Sequence, residues 1–225
     1  MKREERRFLK DPDEFVVWTT RLGTLAQTHR TTLIAVGAVV ALAIGAAGLL
    51  GRRSARQTEA ASEAFGAARA KFVARDYGPA ALDFEAVARE YPSTSFGRLA
   101  VLYRGHCLLR SGDAVGAAAA YQDFLARVDG DPYLRQLALT NLSHAQEQSG
   151  AAEDARASAS KAGDLQGPYR VEALLIYARL SEAAGDAPAA QGAYRKILDD
   201  NPDAETKSFV QRRLPAQAEA GAPTG

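Results

Sequence analysis

His106 and Cys107 stand side by side, the arrangement in this sequence that comes nearest to a nucleophile with its base. A thiol attacks as the thiolate, which requires an imidazole within hydrogen-bond reach. On a helix, adjacent side chains diverge by about 100°, so this pair does not make that bond. Cys107 is therefore expected to be a small packed hydrophobe. The three histidines, His29, His106 and His144, have no cysteine or carboxylate at ligand spacing, which argues against zinc. No glycine-rich phosphate loop and no serine elbow occurs. The residues predict no catalytic site, no metal and no cofactor; what remains is work done through a surface.

Composition narrows the partner. Lys+Arg 28 against Asp+Glu 27 leaves a formal charge of +1, too little to create the basic field that nucleic-acid binding starts from. A hydrophobic content of 47% over 225 residues is enough for one domain with a core and appendages. With Cys107 as the single cysteine, no intramolecular disulfide forms, and cysteine usage does not distinguish cytosol from periplasm.

The compartment is argued from residues 33–51, LIAVGAVVALAIGAAGLLG, nineteen residues without a charge. As a helix they span roughly 28 Å, close to the hydrocarbon thickness of a bilayer. A buried core helix is the alternative, but such helices are rarely apolar all round for five turns and bracketed by His29-Arg30 and Arg52-Arg53. A cleaved signal peptide would have a shorter apolar region, of about 7–15 residues, so an uncleaved anchor over 31–52 is expected. No lipobox-like cysteine follows it to carry a lipid. Seven basic residues precede the span (Lys2, Arg3, Arg6, Arg7, Lys10, Arg21, Arg30) and Arg52, Arg53 and Arg56 follow it. The charge count is nearly a draw. Because a short tail is easily retained, residues 1–30 are placed in the cytoplasm and the long following domain outside. Within that tail Asp11 and Pro12 open an expected amphipathic helix whose Phe15, Trp18, Leu22 and Leu25 share one face, suited to a membrane interface or a membrane partner.

Beyond the span the sequence repeats itself. GDAVGAAAAYQDFL (112–125) and GDAPAAQGAYRKIL (185–198) both open on Gly-Asp-Ala and place a Tyr nine residues after the Gly, and two further copies occur at 75–92 and 149–168. An alanine recurs at Ala80, Ala117, Ala155 and Ala190, spaced 37, 38 and 35 residues apart, intervals that suit a helix-turn-helix unit. Four residues on stand Phe84, Tyr121, Ala159 and Tyr194, and three further Val87, Phe124, Ala162 and Ile197, forming one buried helical face. Twelve residues before each alanine is another small residue: Ala68, Gly105, Ser143 and Ala178. Two antiparallel helices need small residues where their axes come closest. Gly112-Asp113 and Gly185-Asp186 read as a helix end followed by a cap, and Pro92, Pro168 and Pro202 close three second helices.

This pattern of small residue, Gly-Asp turn, alanine, aromatic and closing proline resembles the tetratricopeptide repeat over residues 61–202. The resemblance implies an all-α chain: a single N-terminal transmembrane helix, then an α-solenoid of about four helical hairpins with AETKSFVQRRL (203–213) as a capping helix. The repeat domain is expected over 53–214, with a flexible tail at 215–225. The third copy departs from the pattern, with Gly150-Ala151 at the turn and Ala159 in place of an aromatic, and is expected to be the least well packed.

In repeats of this kind the first helices line a groove, and the position after the small residue faces into it. Read in all four copies, that position gives Arg69, His106, His144 and Arg179, beside Phe65, Phe72, Leu102, Leu109 and Leu175. Such a surface would suit an extended protein segment with acidic groups or a free carboxylate, more strongly below about pH 6.5, where imidazole charges. Glu147 and Glu182 lie close enough in sequence to neutralise part of it.

The layout of short charged tail, one span and small repeat domain resembles the ancillary SecYEG translocon subunit family, the YfgM-like proteins of the bacterial inner membrane. That resemblance implies a repeat domain in the periplasm, attached to the translocon and working beside periplasmic chaperones or unfolded polypeptides. Rival readings are a periplasmic scaffold for cell-envelope or outer-membrane assembly, a cytoplasm-facing adaptor, and a degraded hydrolase for which no catalytic cluster is found.

Overall fold

The computed structural model of the protein describes residues 30–128 and 130–214. The amphipathic helix expected within 1–30 and the tail at 215–225 lie outside the described residues. The chain divides into two units, Met1–Arg56 and Gln57–Gly225.

In the first unit, helix α1 (Arg30–Val73) begins, and it runs without interruption into the second. Its sequence offers no stop signal, since no proline occurs between Pro12 and Pro79. The apolar stretch is exposed on every side: Leu42 is 73% and Leu49 69% accessible. In water such a surface would be costly, about 25 cal/mol for each Å². It is the only helix among the described residues long and apolar enough to cross a membrane.

The second unit is built from hairpins. The remainder of α1 packs on α2 (Tyr77–Glu90) through Phe65 and Ala68. Helix α3 (Ser95–Ser111) pairs with α4 (Ala114–Arg127), α5 (Pro132–Gln148) with α6 (Ala152–Asp164), and α7 (Arg170–Ala183) with α8 (Ala187–Asp199), and α9 (Ala204–Arg213) packs on α8. Among the described residues every regular element is a helix, as the repeat pattern implies. First helices of successive hairpins also touch, α3 on α5 and α5 on α7.

The small residues sit at the crossings. Ala68, Ser143 and Ala178 have no accessible surface, nor do Ala80, Ala117 and Ala155, while Ala190 keeps 2%. At Gly105 the contact is tightest, because a Cβ there would lie 2.7 Å from the Tyr121 ring. Even one methyl would push α3 off α4. The following large positions fill the space beside each crossing: Phe84, Tyr121, Phe124 and Ile197 are fully or almost fully buried.

Turn chemistry follows the residues. Gly112 ends α3 at φ 90°, a left-handed conformation that costs a side-chain-bearing residue about 1–2 kcal/mol, and Asp113 then caps α4 by accepting from the Gly116 amide at 2.8 Å. Gly185 and Asp186 repeat this before α8, where the Asp186 carboxylate accepts from Ala189 N at 3.1 Å. The first hairpin performs the same turn with Arg75 at φ 63°, and neither Asp76 nor Ala151 makes a side-chain cap.

The third hairpin, whose second helix carries no aromatic residue, is held differently. The Ser143 hydroxyl donates to Ala155 O at 2.8 Å across the crossing, and Ser158 donates to Gln146 Oε1 at 2.7 Å. Buried Gln136 donates from Nε2 to Leu165 O at 2.8 Å and accepts at Oε1 from Tyr169 N at 3.1 Å, joining α5 to the end of α6 and the start of α7. Buried polar groups are tolerated because they are paired. Its apolar clusters are small, one of Ala155, Ala159, Ile176 and Leu180 and another of Leu139, Ala162 and Ala173.

Candidate functional site

The four positions after the small residues do not share one electrostatic state. Arg69 is exposed and makes no ion pair among the described residues. His106 is mostly buried; its ring meets Tyr103 and Tyr121 edge-on, and its Nδ1 lies 2.9 Å from the Tyr121 hydroxyl. Burial lowers its pKa to about 4, so it is a neutral packing residue. His144 Nε2 lies 3.6 Å from Glu172 Oε1 on α7. Arg179 makes a two-pronged contact with Glu147, at 2.5 and 2.7 Å. That contact holds the Glu147 carboxyl below the usual carboxylate range.

A single register explains the differences. The residue four after each small residue is Phe72, Leu109, Glu147 and Glu182, and its partner, where one forms, is a cation on the next first helix. Glu147 on α5 takes Arg179 on α7, and Glu182 on α7 takes Arg213 on α9 at 2.6 Å as well as the Tyr194 hydroxyl at 3.1 Å. In the first two hairpins the same position carries Phe72 and Leu109 and offers no anion. Of the two carboxylates flagged in the sequence as neutralisers, one binds a groove cation and the other serves the capping helix.

The apolar lining divides as well. Phe65 and Leu102 are 8% and 2% accessible and belong to the core rather than to an open surface. Phe65 is drawn inward by Phe84, Phe96 and Tyr103, with ring centroids at 5.2, 5.6 and 5.2 Å. Phe72, Leu109 and Leu175 are half-buried, each packed against a core cluster with part of its surface open. Val73, at the end of α1, is 71% exposed.

Cys107 has no accessible surface, and burial pushes its thiol up to about 11, which keeps it protonated and inert. The imidazole of His106 is engaged with Tyr121 instead of the thiol. No group of three or more potential metal ligands occurs among the described residues.

Two features escaped sequence reasoning. Tyr133 and Tyr169, 36 residues apart, bring their hydroxyls to 3.2 Å and their rings to 5.5 Å, joining the starts of α5 and α7. A pocket of about 150 Å³ opens between α6 and α8, where Ser160, Gly192 and Ala193 leave space beside Tyr177, with Lys196 and Asp164 at its edge. Both arise from hairpin-to-hairpin stacking; the only sequence signal was the run of small residues on α6 and α8.

Among solved structures the chain is similar to a tetratricopeptide repeat protein from Parabacteroides merdae ATCC 43184, with a TM-score of 0.59 and 17% identity over 69% of this chain. The matched part spans 59% of that protein's length. It is also similar to the MamA protein, with a TM-score of 0.56 and 16% identity over 69% of this chain and 86% of that one. Likeness at these identities shows the fold. No curated protein matches the chain. The tetratricopeptide repeat-like domain family matches residues 27–166, well over half of the 225. The chain therefore belongs to the tetratricopeptide repeat-like domain family.

Proposed function

We propose that this protein is a membrane-anchored, protein-binding scaffold, an ancillary factor of the protein translocon that recruits periplasmic chaperones or emerging chains. The apolar run of α1 anchors it, residues 1–30 stay in the cytoplasm, and residues 53–214 form the recruiting domain in the periplasm. Its work is tethering: a partner held at one place acquires a high effective concentration without any chemical step.

The observation that carries the reading is the uneven ladder. Arg69 keeps its charge free beside half-buried Phe72 and exposed Val73, whereas Arg179 is spent on Glu147. Capture is therefore assigned to the first-helix face of the first two hairpins, with Arg69 meeting a carboxylate of the partner and Phe72, Leu109 and Val73 covering its apolar part. His144 and Leu175 extend the surface. The pH dependence expected from two imidazoles loses one of its carriers, because His106 stays neutral down to about pH 4.

Crosslinking in membranes tests the surface: Arg69→Glu is expected to reduce partner capture severalfold, and Arg179→Glu much less. Equal capture by the unaltered protein and by Arg69→Glu removes this face. Copurification in mild detergent tests the partner, with translocon components supporting the reading and envelope-assembly proteins replacing it. A topology reporter placed after residue 225 tests the compartment, and a cytoplasmic result overturns the periplasmic assignment.

A further inference from the structure

Three guanidinium groups follow the apolar run of α1 directly. Arg52, Arg53 and Arg56 are exposed, and none makes an ion pair among the described residues. No acidic residue lies between Glu14 and Glu59, so the run and its basic end carry no anion of their own. On a helix, positions 52, 53 and 56 fall within an arc of about 100° and within about 6 Å along the axis. Arginine reaches sideways and upward along its stem, and its planar fork matches the oxygens of a phosphodiester.

We propose that Arg52, Arg53 and Arg56 form a binding site for the phosphate groups of anionic phospholipids at the C-terminal end of the span. The proposal rests on the reading of α1 as a membrane anchor. With the apolar run filling the hydrocarbon, the three guanidinium groups stand at headgroup depth, where the layer is about 5–7 Å thick. Lipid phosphates are concentrated at that depth, so each arginine adds to the attraction. Unlike Arg179, these three have no carboxylate to compete with the lipid.

The test uses the full chain reconstituted in phosphatidylcholine vesicles containing spin-labelled phosphatidylglycerol or spin-labelled phosphatidylcholine. The immobilised fraction of each label gives the relative affinity for the protein. The unaltered chain is expected to favour phosphatidylglycerol severalfold, the Arg52→Gln/Arg53→Gln/Arg56→Gln protein to keep only the smaller preference owed to the basic residues before the span, and added salt to weaken the preference. Equal selectivity in the two proteins overturns the proposal. If inorganic phosphate abolishes the preference at an ionic strength where chloride does not, the site is one for free phosphate and the lipid assignment fails. Release of the chain from vesicles by alkaline washing is a separate result, since it removes the membrane reading itself. Circular dichroism of the triple variant, expected to be unchanged because all three side chains are exposed, ties any lost preference to the charges.

Discussion

The first two hairpins and the last two obey the same crossing rule but fill the space around it with different chemistry. In the first half, Phe65, Phe72, Phe84 and Tyr103 form a continuous set of ring contacts with centroids 5.2 to 5.8 Å apart. That set continues through His106 to Tyr121. In the second half charge takes a larger share: Arg156 to Asp186 at 2.9 Å and Lys196 to Asp164 at 3.0 Å join the third hairpin to the fourth, Arg170 to Asp200 at 2.6 Å closes the fourth, and Arg213 to Glu182 at 2.6 Å ties the capping helix to it. Where volume is available, apolar burial supplies cohesion without demanding geometry. Where the third copy supplies alanine and serine instead, directional bonds between neighbouring repeats replace it. The consequence for function is that in the charge-paired half Arg179 is occupied by Glu147, whereas in the aromatic half Arg69 makes no ion pair among the described residues.

The sharpest break in this comparison is Phe84→Ala. The side chain is fully buried between Phe65 and Tyr103, and its loss is expected to cost about 3–5 kcal/mol. Urea denaturation should show it, with amide exchange accelerating in α1 to α3 well before α7 to α9; a uniform loss across all hairpins would mean that the halves are not energetically distinct.

Next in size is acid. His106 has a folded pKa of about 4 against an ordinary 6.5, so the native state refuses a proton that the unfolded chain accepts. Its contribution is complete above about pH 6.5 and falls away as the pH drops towards 4. The unaltered protein is therefore expected to lose on the order of 2–3 kcal/mol more than His106→Phe between those pH values. Identical pH profiles for the two would show that the imidazole is not desolvated.

Gln136→Leu probes the polar substitute for a core. It leaves the Leu165 carbonyl and the Tyr169 amide without their partner, a cost of about 2 kcal/mol that thermal unfolding would register as a lowered Tm. A neutral or stabilising result would mean that the third hairpin packs as well with an apolar filler.

The smallest effect belongs to the exposed ion pairs. Arg179→Ala should cost only about 0.5–1 kcal/mol, because the side chain is 53% accessible and solvent screens its charge. Raising salt towards 1 M should erase most of that difference and leave the penalty of Phe84→Ala intact.

Much of the fold was legible in the residues. Ala68, Gly105, Ser143 and Ala178 announced the crossings because a small side chain is a local requirement of close helix approach, whatever lies around it. Gly112-Asp113 and Gly185-Asp186 announced turns for the same reason, since left-handed backbone and an amide cap involve neighbours only three residues away. The candidate site was less legible. Phe65 and Leu102 were expected on a surface and lie in the core, because helical register gives the direction of a side chain but not how far the neighbouring hairpin covers it. The Gln136 network left no trace, because its partners on the backbone lie 26 to 33 residues away.

The sequence by itself determined the apolar span, the four hairpins, their turns and the paired small residues, all of which follow from size, polarity and period along a short stretch of chain. Only the tertiary structure decided which rungs of the ladder carry usable charge. Arg179 and Glu147 are 32 residues apart and meet only when hairpins stack, and His106 loses its charge only when Tyr103 and Tyr121 close over it. The state of an ionisable group depends on the charges and water within a few ångströms, and stacking, not adjacency in the chain, sets those.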